Sequence, residues 1–199
     1  SLAGKDRWLE RIAVRFVCYD PWWYSVNDIT VALDGNKTIA NANYAVKRVD
    51  GVWTNVSTSF NAEVNAVCAA PSGGHYVGGY FTNLGDADGD YIVHIADDGT
   101  ISSLGTGMNG HVRALAVTPD GTLYAAGGFT SAGGVANTAY IAKWDGSTWA
   151  PLGTGANQVV YALAIGQDGT LYAAGLFSQM GGVADTAYIA KWNGSAWSA

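Results

Sequence analysis

The chain is 199 residues long and carries 16 acidic against 10 basic side chains, a net charge of -6. No run of lysine and arginine offers a track for phosphates, which argues against nucleic acid as a ligand, and no apolar stretch approaches the roughly 18 residues a membrane helix requires. Charged residues make up 13% of the chain against roughly 25% in an ordinary soluble domain, so much of the surface is expected to face other protein.

Residues 7–19, RWLERIAVRFVCY, alternate: Ile12, Val14, Phe16 and Cys18 fall on one side, Arg11, Ala13, Arg15 and Val17 on the other. That is the period of a half-buried strand. Asp20-Pro21 ends it, because proline has no amide hydrogen for a ladder and restricts the residue before it. The aromatic cluster Trp22, Trp23 and Tyr24 follows. A basic alternating strand running into DPWWY resembles the strand-and-turn motif of distal-tail and related tail-tip proteins of long-tailed bacteriophages. The resemblance covers about two dozen residues and implies that 1–25 are a strand segment of a tail-protein-like β-domain. Read from the residues alone, the segment is a capping strand whose aromatics lid the sheet after it. Cys18 and Cys68 each lie in an apolar run with no second pair at metal-ligand spacing, so both are expected to be buried thiols.

From residue 26 the chain repeats itself. The stretch GTLYAAGGFTSAGGVANTAYIAKWDGSTWAPLGTG, 121–155, returns as GTLYAAGLFSQMGGVADTAYIAKWNGSAWSA, and Tyr124, Tyr140, Trp144 and Trp149 each recur 48 residues later as Tyr172, Tyr188, Trp192 and Trp197. A period of this size, with four short apolar runs per unit and turn residues between them, predicts an all-β chain of four-stranded antiparallel β-propeller blades. The units run 26–63, 64–111, 112–159 and 160–199, forming at least four blades of an incomplete ring over 26–199. The first is clipped: VNDITVALDG, KTIANAN, YAVKRVDG and VWTNVS supply four strands without the GGVANT-type loop. In the second, Ile95 stands where later units have Trp144 and Trp192, so neighbours must fill its volume. The last stops in its fourth strand, and further residues or another chain are expected to complete the ring. Small residues in VRALAV and LYAAGG suit inner strands crowded at the ring axis, and the bulky aromatics belong farther out.

Gly127-Gly128, Tyr140 and Trp149 resemble the signature of kelch-type and related glycine-rich propeller repeats, in which a diglycine ends the second strand and a spaced tyrosine and tryptophan mark the third and fourth. Gly78-Gly79 matches with a displacement of one, and the fourth unit has Gly175-Leu176 in its place. The resemblance covers about residues 26–199 and implies propeller membership.

Candidate chemistry is sparse. Asp86, Asp88 and Asp90 around Gly89 form an acidic turn that could offer oxygen ligands to calcium, but the pattern does not recur in the other units and lacks the later acid of an EF-hand loop. His75, His94 and His111 are not at metal-ligand spacing and have no nucleophile motif beside them. Asp98, Asp120, Asp145 and Asp168, each before glycine, are explained by turns. The GTG segments 105–107 and 153–155 open no helix, which removes a phosphate cradle. Asn36, Asn55 and Asn193 lie in glycosylation sequons, relevant only in a secretory setting. Eight tryptophans and eleven tyrosines could include a sugar platform, but most are in register with the repeat, so a lectin site would fall on irregular loops such as 82–90 or 130–138.

With no convergent acids, histidines or metal ligands, a catalytic site is not expected and no cofactor beyond that candidate calcium is implied. The expected role is structural and adhesive: a component of a phage tail or tail-like particle presenting a propeller to neighbouring particle subunits, in an oligomeric assembly, or to a host-surface protein or glycan. The place is then a virion tail or extracellular particle. The alternative is a secreted or cell-surface carbohydrate-binding propeller with no viral connection.

Overall fold

A computed structural model describes residues 23–26, 44–49, 52–55, 60–84 and 90–199, the first three stretches by their strand pairing alone. Strands β1 (Trp23–Val26), β2 (Tyr44–Val49) and β3 (Val52–Asn55) form a first sheet in the order β1-β2-β3. Blade two comprises β4 (Val64–Ala69), β5 (His75–Gly79), β6 (Ile92–Ile95) and β7 (Ile101–Ser103). Blade three comprises β8 (Val112–Val117), β9 (Leu123–Gly127), β10 (Ile141–Trp144) and β11 (Trp149–Pro151). Blade four comprises β12 (Val160–Ile165), β13 (Leu171–Gly175), β14 (Ile189–Trp192) and β15 (Trp197–Ser198).

Blades two to four are each a four-stranded antiparallel sheet in sequential order, as the period of the sequence requires, and the described residues contain no helix. Strand β8 lies beside β4 on one side and β12 on the other, so the first strand of each blade is the inner one. The fold is that of stacked β-propeller blades. In the first sheet, the partner of β2 is the aromatic Trp23–Val26 segment, upstream of most of the stretch expected to open that blade. The expected strands over 27–35 and 37–43, the alternating strand 7–19 and Cys18 lie outside the described residues.

The blades share local devices that follow from shared sequence. In each, the inner strand is bulged at one residue: Val64 pairs with Gly79 and Ala66 with Gly78, Val112 with Gly127 and Ala114 with Ala126, Val160 with Gly175 and Ala162 with Ala174. Asn65, Arg113 and Tyr161 are the skipped residues. A Cβ on Gly79, Gly127 or Gly175 would stand 2.1, 2.2 or 2.3 Å from the carbonyl oxygen of Glu63, His111 or Val159, which is why glycine holds these three places. Pairing therefore aligns Gly79 with Gly127 and accounts for the apparent displacement of the second unit's diglycine. Tyr91, Tyr140 and Tyr188 all have left-handed backbones, with φ of 62, 64 and 65°. Bulky residues adopt this region only under constraint. Here each amide donates to the carbonyl of Phe81, Phe129 or Phe177, and these three phenylalanines are fully buried.

Apolar side chains fill the spaces between blades. Tyr76 and Ile92 of blade two meet Leu123, Ala125, Trp144 and Trp149 of blade three. Tyr124 and Ile141 of blade three meet Leu171, Ala173, Trp192 and Trp197 of blade four in the corresponding places. The indole N–H of Trp149 donates to the Leu104 carbonyl at 2.8 Å, and that of Trp197 to the Leu152 carbonyl at 2.9 Å, so the fourth-strand tryptophan ties blade three to blade two and blade four to blade three. Ile95 is fully buried and pairs with His75 as Trp144 pairs with Leu123. Phe60, Val67, Val77 and Val93 form a further cluster on blade two, whose inner strand has β1 and β2 beside it. Cys68 is a buried thiol, as expected.

Candidate functional site at the mouth of the inner strands

Because the repeats agree so closely, the places where they differ stand out. At the start of the inner strands the three blades carry Glu63, His111 and Val159, then Asn65, Arg113 and Tyr161, and at the end of the neighbouring strand Tyr80, Gly128 and Leu176. The second set holds the bulge residues. A bulge leaves its residue outside the ladder and re-aims the side chain, and bulges are over-represented beside functional sites.

Arg113 reaches from this position across three blades. Its Nη2 donates to the Tyr80 hydroxyl at 2.8 Å in blade two, and its Nε donates to His111 Nε2 at 3.2 Å. Its guanidinium carbon lies 5.8 Å from the centre of the Tyr80 ring and 5.2 Å from that of Tyr161 in blade four. The His111 ring stacks on Tyr80, with centroids 4.5 Å apart and planes 13° from parallel. Gly128 lies against the same ring, where a Cβ would come within 2.2 Å of the imidazole. That contact explains the second glycine of Gly127-Gly128. Where Val159 replaces histidine, the fourth unit accommodates Leu176. In blade two, the equivalent bulge residue Asn65 uses Nδ2 to donate to the Val112 carbonyl at 2.9 Å, bracing β4 against β8.

Electrostatics follow from this packing. Burial, and then the adjacent Arg113 charge, hold the His111 pKa below its ordinary value, which favours the neutral ring that can accept from Arg113 Nε. Among the described residues Arg113 has no carboxylate partner, and its contacts are neutral. The cluster is a single oriented positive charge framed by tyrosines.

Among the described residues, the metal and catalytic candidates expected from sequence are not brought together. Asp86 and Asp88 lie outside the described residues; Asp90 accepts the Asn83 amide at 2.8 Å. No group of three or more His, Cys, Asp or Glu side chains able to hold a metal occurs among the described residues. His75 is buried in β5, and His94 is 2.9 Å from the Gly73 carbonyl with its ring 5.2 Å from that of Tyr76. Asp98, Asp120 and Asp168 accept the amides of Thr100, Thr122 and Thr170, and Asp145 accepts those of Ser147 and Thr148. These bonds, and for Asp120 first of all the one donated by the Thr118 hydroxyl, hold all four carboxyls below their usual pKa range and are the bonds of a turn. Loop 130–138 is braced from within: Thr138 Oγ1 donates to the Val135 carbonyl and accepts the Ala132 amide, and Thr186 repeats this with Val183 and Met180.

Two features escaped a reading of the sequence. One is the mouth cluster, visible only when columns 48 residues apart are compared for difference instead of likeness. The other is an asparagine at the same interval. Asn61, Asn109 and Asn157 each accept the amide of a residue 21 positions on, Thr82, Thr130 and Ser178, and donate back to its side chain.

No family model and no curated protein matches the chain. A solved structure described as YCF48 bound to D1 peptide is similar over 79% of this chain and 46% of its own, with a TM-score of 0.44 and 15% sequence identity, so this chain spans a little under half the length of that one.

Proposed function

We propose that the chain is a non-catalytic binding scaffold, a rigid stack of blades that presents its inner-strand mouth to a protein partner within a larger particle. The observation that carries this reading is where the repeats depart from one another: Tyr80, His111, Arg113 and Tyr161 differ from their counterparts and converge at one end of the blades. Elsewhere the bulge glycine, the left-handed tyrosine and the asparagine bridge are kept from blade to blade, which is what a scaffold needs. A mouth that varies on a constant frame is what recognition needs. The DPWWY segment supports a phage-tail or tail-like particle as the setting, with subunits of the particle or a host-surface protein as partner. A virion tail or extracellular particle is then its place.

The test is electron microscopy and co-sedimentation of the protein with such particles, alongside a glycan array. Attachment that Arg113→Gln or Tyr161→Ala weakens is the expected result. A chain that joins no particle, or one that binds a defined sugar and no protein, would overturn the reading in favour of a solitary or carbohydrate-binding propeller. Turnover of any compound in a broad substrate screen would remove the non-catalytic part.

A further inference from the structure

Arg113 is a cation without a counter-ion among the described residues. His111 Nε2 takes its Nε–H and the Tyr80 hydroxyl takes one Nη2–H, both as neutral acceptors. A guanidinium has five N–H donors, so three remain, two on Nη1 and one on Nη2. With Nε and Nη2 turned to His111 and Tyr80 along one side, one N–H of each Nη is left on the terminal edge, where parallel donors match the two oxygens of a carboxylate. The Tyr161 ring, 5.2 Å from the guanidinium carbon, and the bond to Tyr80 hold that edge in one orientation. Much of the ordering cost of binding is thus met before a ligand arrives.

We propose that Arg113 is the recognition point for a carboxylate borne by a polypeptide, an acidic side chain or a free C-terminus, gripped in bidentate fashion between the Tyr80 and Tyr161 rings. The proposal rests on the binding-mouth reading and specifies its ligand. Charge favours a carboxylate over a phosphate: the cluster holds one cation, and burial and Arg113 keep His111 in its neutral form, so a monoanion balances the site and a dianion does not. The positive charge is also local, on a chain whose net charge is -6, so an acidic partner is drawn to the mouth and away from the rest of the surface.

The experiment is a nuclear magnetic resonance titration of the full chain at constant ionic strength, following the Arg113 Nε–H and His111 ring resonances. The probes are the α-amide of N-acetyl-glutamate, in which only the side-chain carboxylate is free, N-acetyl-alanine, inorganic phosphate and chloride. Saturable shifts with at least one carboxylate probe, about tenfold tighter than with phosphate, are expected, and the stronger of the two carboxylates identifies its source. Arg113→Gln should abolish the shifts, and Arg113→Lys should weaken binding about tenfold, because an ammonium has the charge without the fork. No saturable shift in the unaltered protein, phosphate binding as tightly as carboxylate, or full binding by Arg113→Lys would each overturn the proposal. The unaltered protein decides the matter even if a variant fails to fold. A failed titration beside successful particle attachment would retire the carboxylate and leave the scaffold reading standing.

Discussion

His111 sits where its neutral form is favoured, and that has a measurable consequence. Burial and the Arg113 charge lower its folded pKa below the ordinary 6.5, so the unfolded chain binds a proton more readily than the folded one in the range just below that value. Stability from this group is complete above about pH 6.5 and is lost as pH falls through the folded pKa. Denaturation midpoints taken on either side of that range should fall with acid in the unaltered protein and fall less in His111→Phe, which keeps the stack on Tyr80 but cannot titrate. Equal acid sensitivity would show that His111 is not the group responsible. Gly128→Ala offers a second check on the same contact. Its Cβ would meet the imidazole within 2.2 Å, so the variant should displace His111 and lose about 1–3 kcal/mol of stability by overpacking, whereas the Leu176→Ala change in blade four should cost little, since Leu176 is 51% exposed. Little of this was legible beforehand. In the sequence His111 stands isolated, because its partners Tyr80 and Gly128 belong to strands of two different blades.

In blades three and four, the fourth-strand tryptophan is hydrogen-bonded to the blade before it. Trp149 is 5% exposed and donates to the Leu104 carbonyl at 2.8 Å. Trp149→Phe keeps much of the apolar volume but removes one of two donors to that carbonyl, which also accepts the Gly107 amide at 3.2 Å, and should cost about 0.5–1.5 kcal/mol for the lost bond. Trp197→Phe should behave alike through Leu152. A thermal midpoint unmoved in both variants would mean that the bond contributes nothing net. At this scale the sequence was informative. Strand order within blades two to four and the equivalence of Ile95 with Trp144 and Trp192 could be read because a spacing repeated several times reports packing that is also repeated. The strand β1 was harder to place, since Trp23–Val26 pairs with β2 across a long intervening stretch and no local pattern announces a partner so far away. The bulge at Asn65, Arg113 and Tyr161 was illegible for a simpler reason: an extra residue in one strand leaves the alternation of apolar positions looking like an ordinary small-residue run.

Across the whole molecule, stacking is directional, and blade four differs from blade three in what covers it. Each blade presents a tyrosine and an isoleucine to the next: Tyr76 and Ile92 to blade three, Tyr124 and Ile141 to blade four. The counterparts on blade four are Tyr172 and Ile189, which are 40% and 60% exposed, while Tyr124 is 9% and Ile141 0%. Strand, register and side chain are held constant between the two blades: Ile141 pairs with Ala126, Ile189 with Ala174. Only the cover differs. The pair therefore isolates what one blade contributes by lying on another. Ile141→Ala removes a fully buried side chain and leaves a cavity between two sheets, which should cost about 2–5 kcal/mol. Ile189→Ala removes methyl groups already in water and should change stability by roughly 0.5 kcal/mol or less. Chemical denaturation of the two variants at low protein concentration reads the difference directly. If Ile189→Ala proves as damaging as Ile141→Ala, then the outer face of blade four is covered in solution, and the stack continues onto another sheet there as it does at every earlier blade.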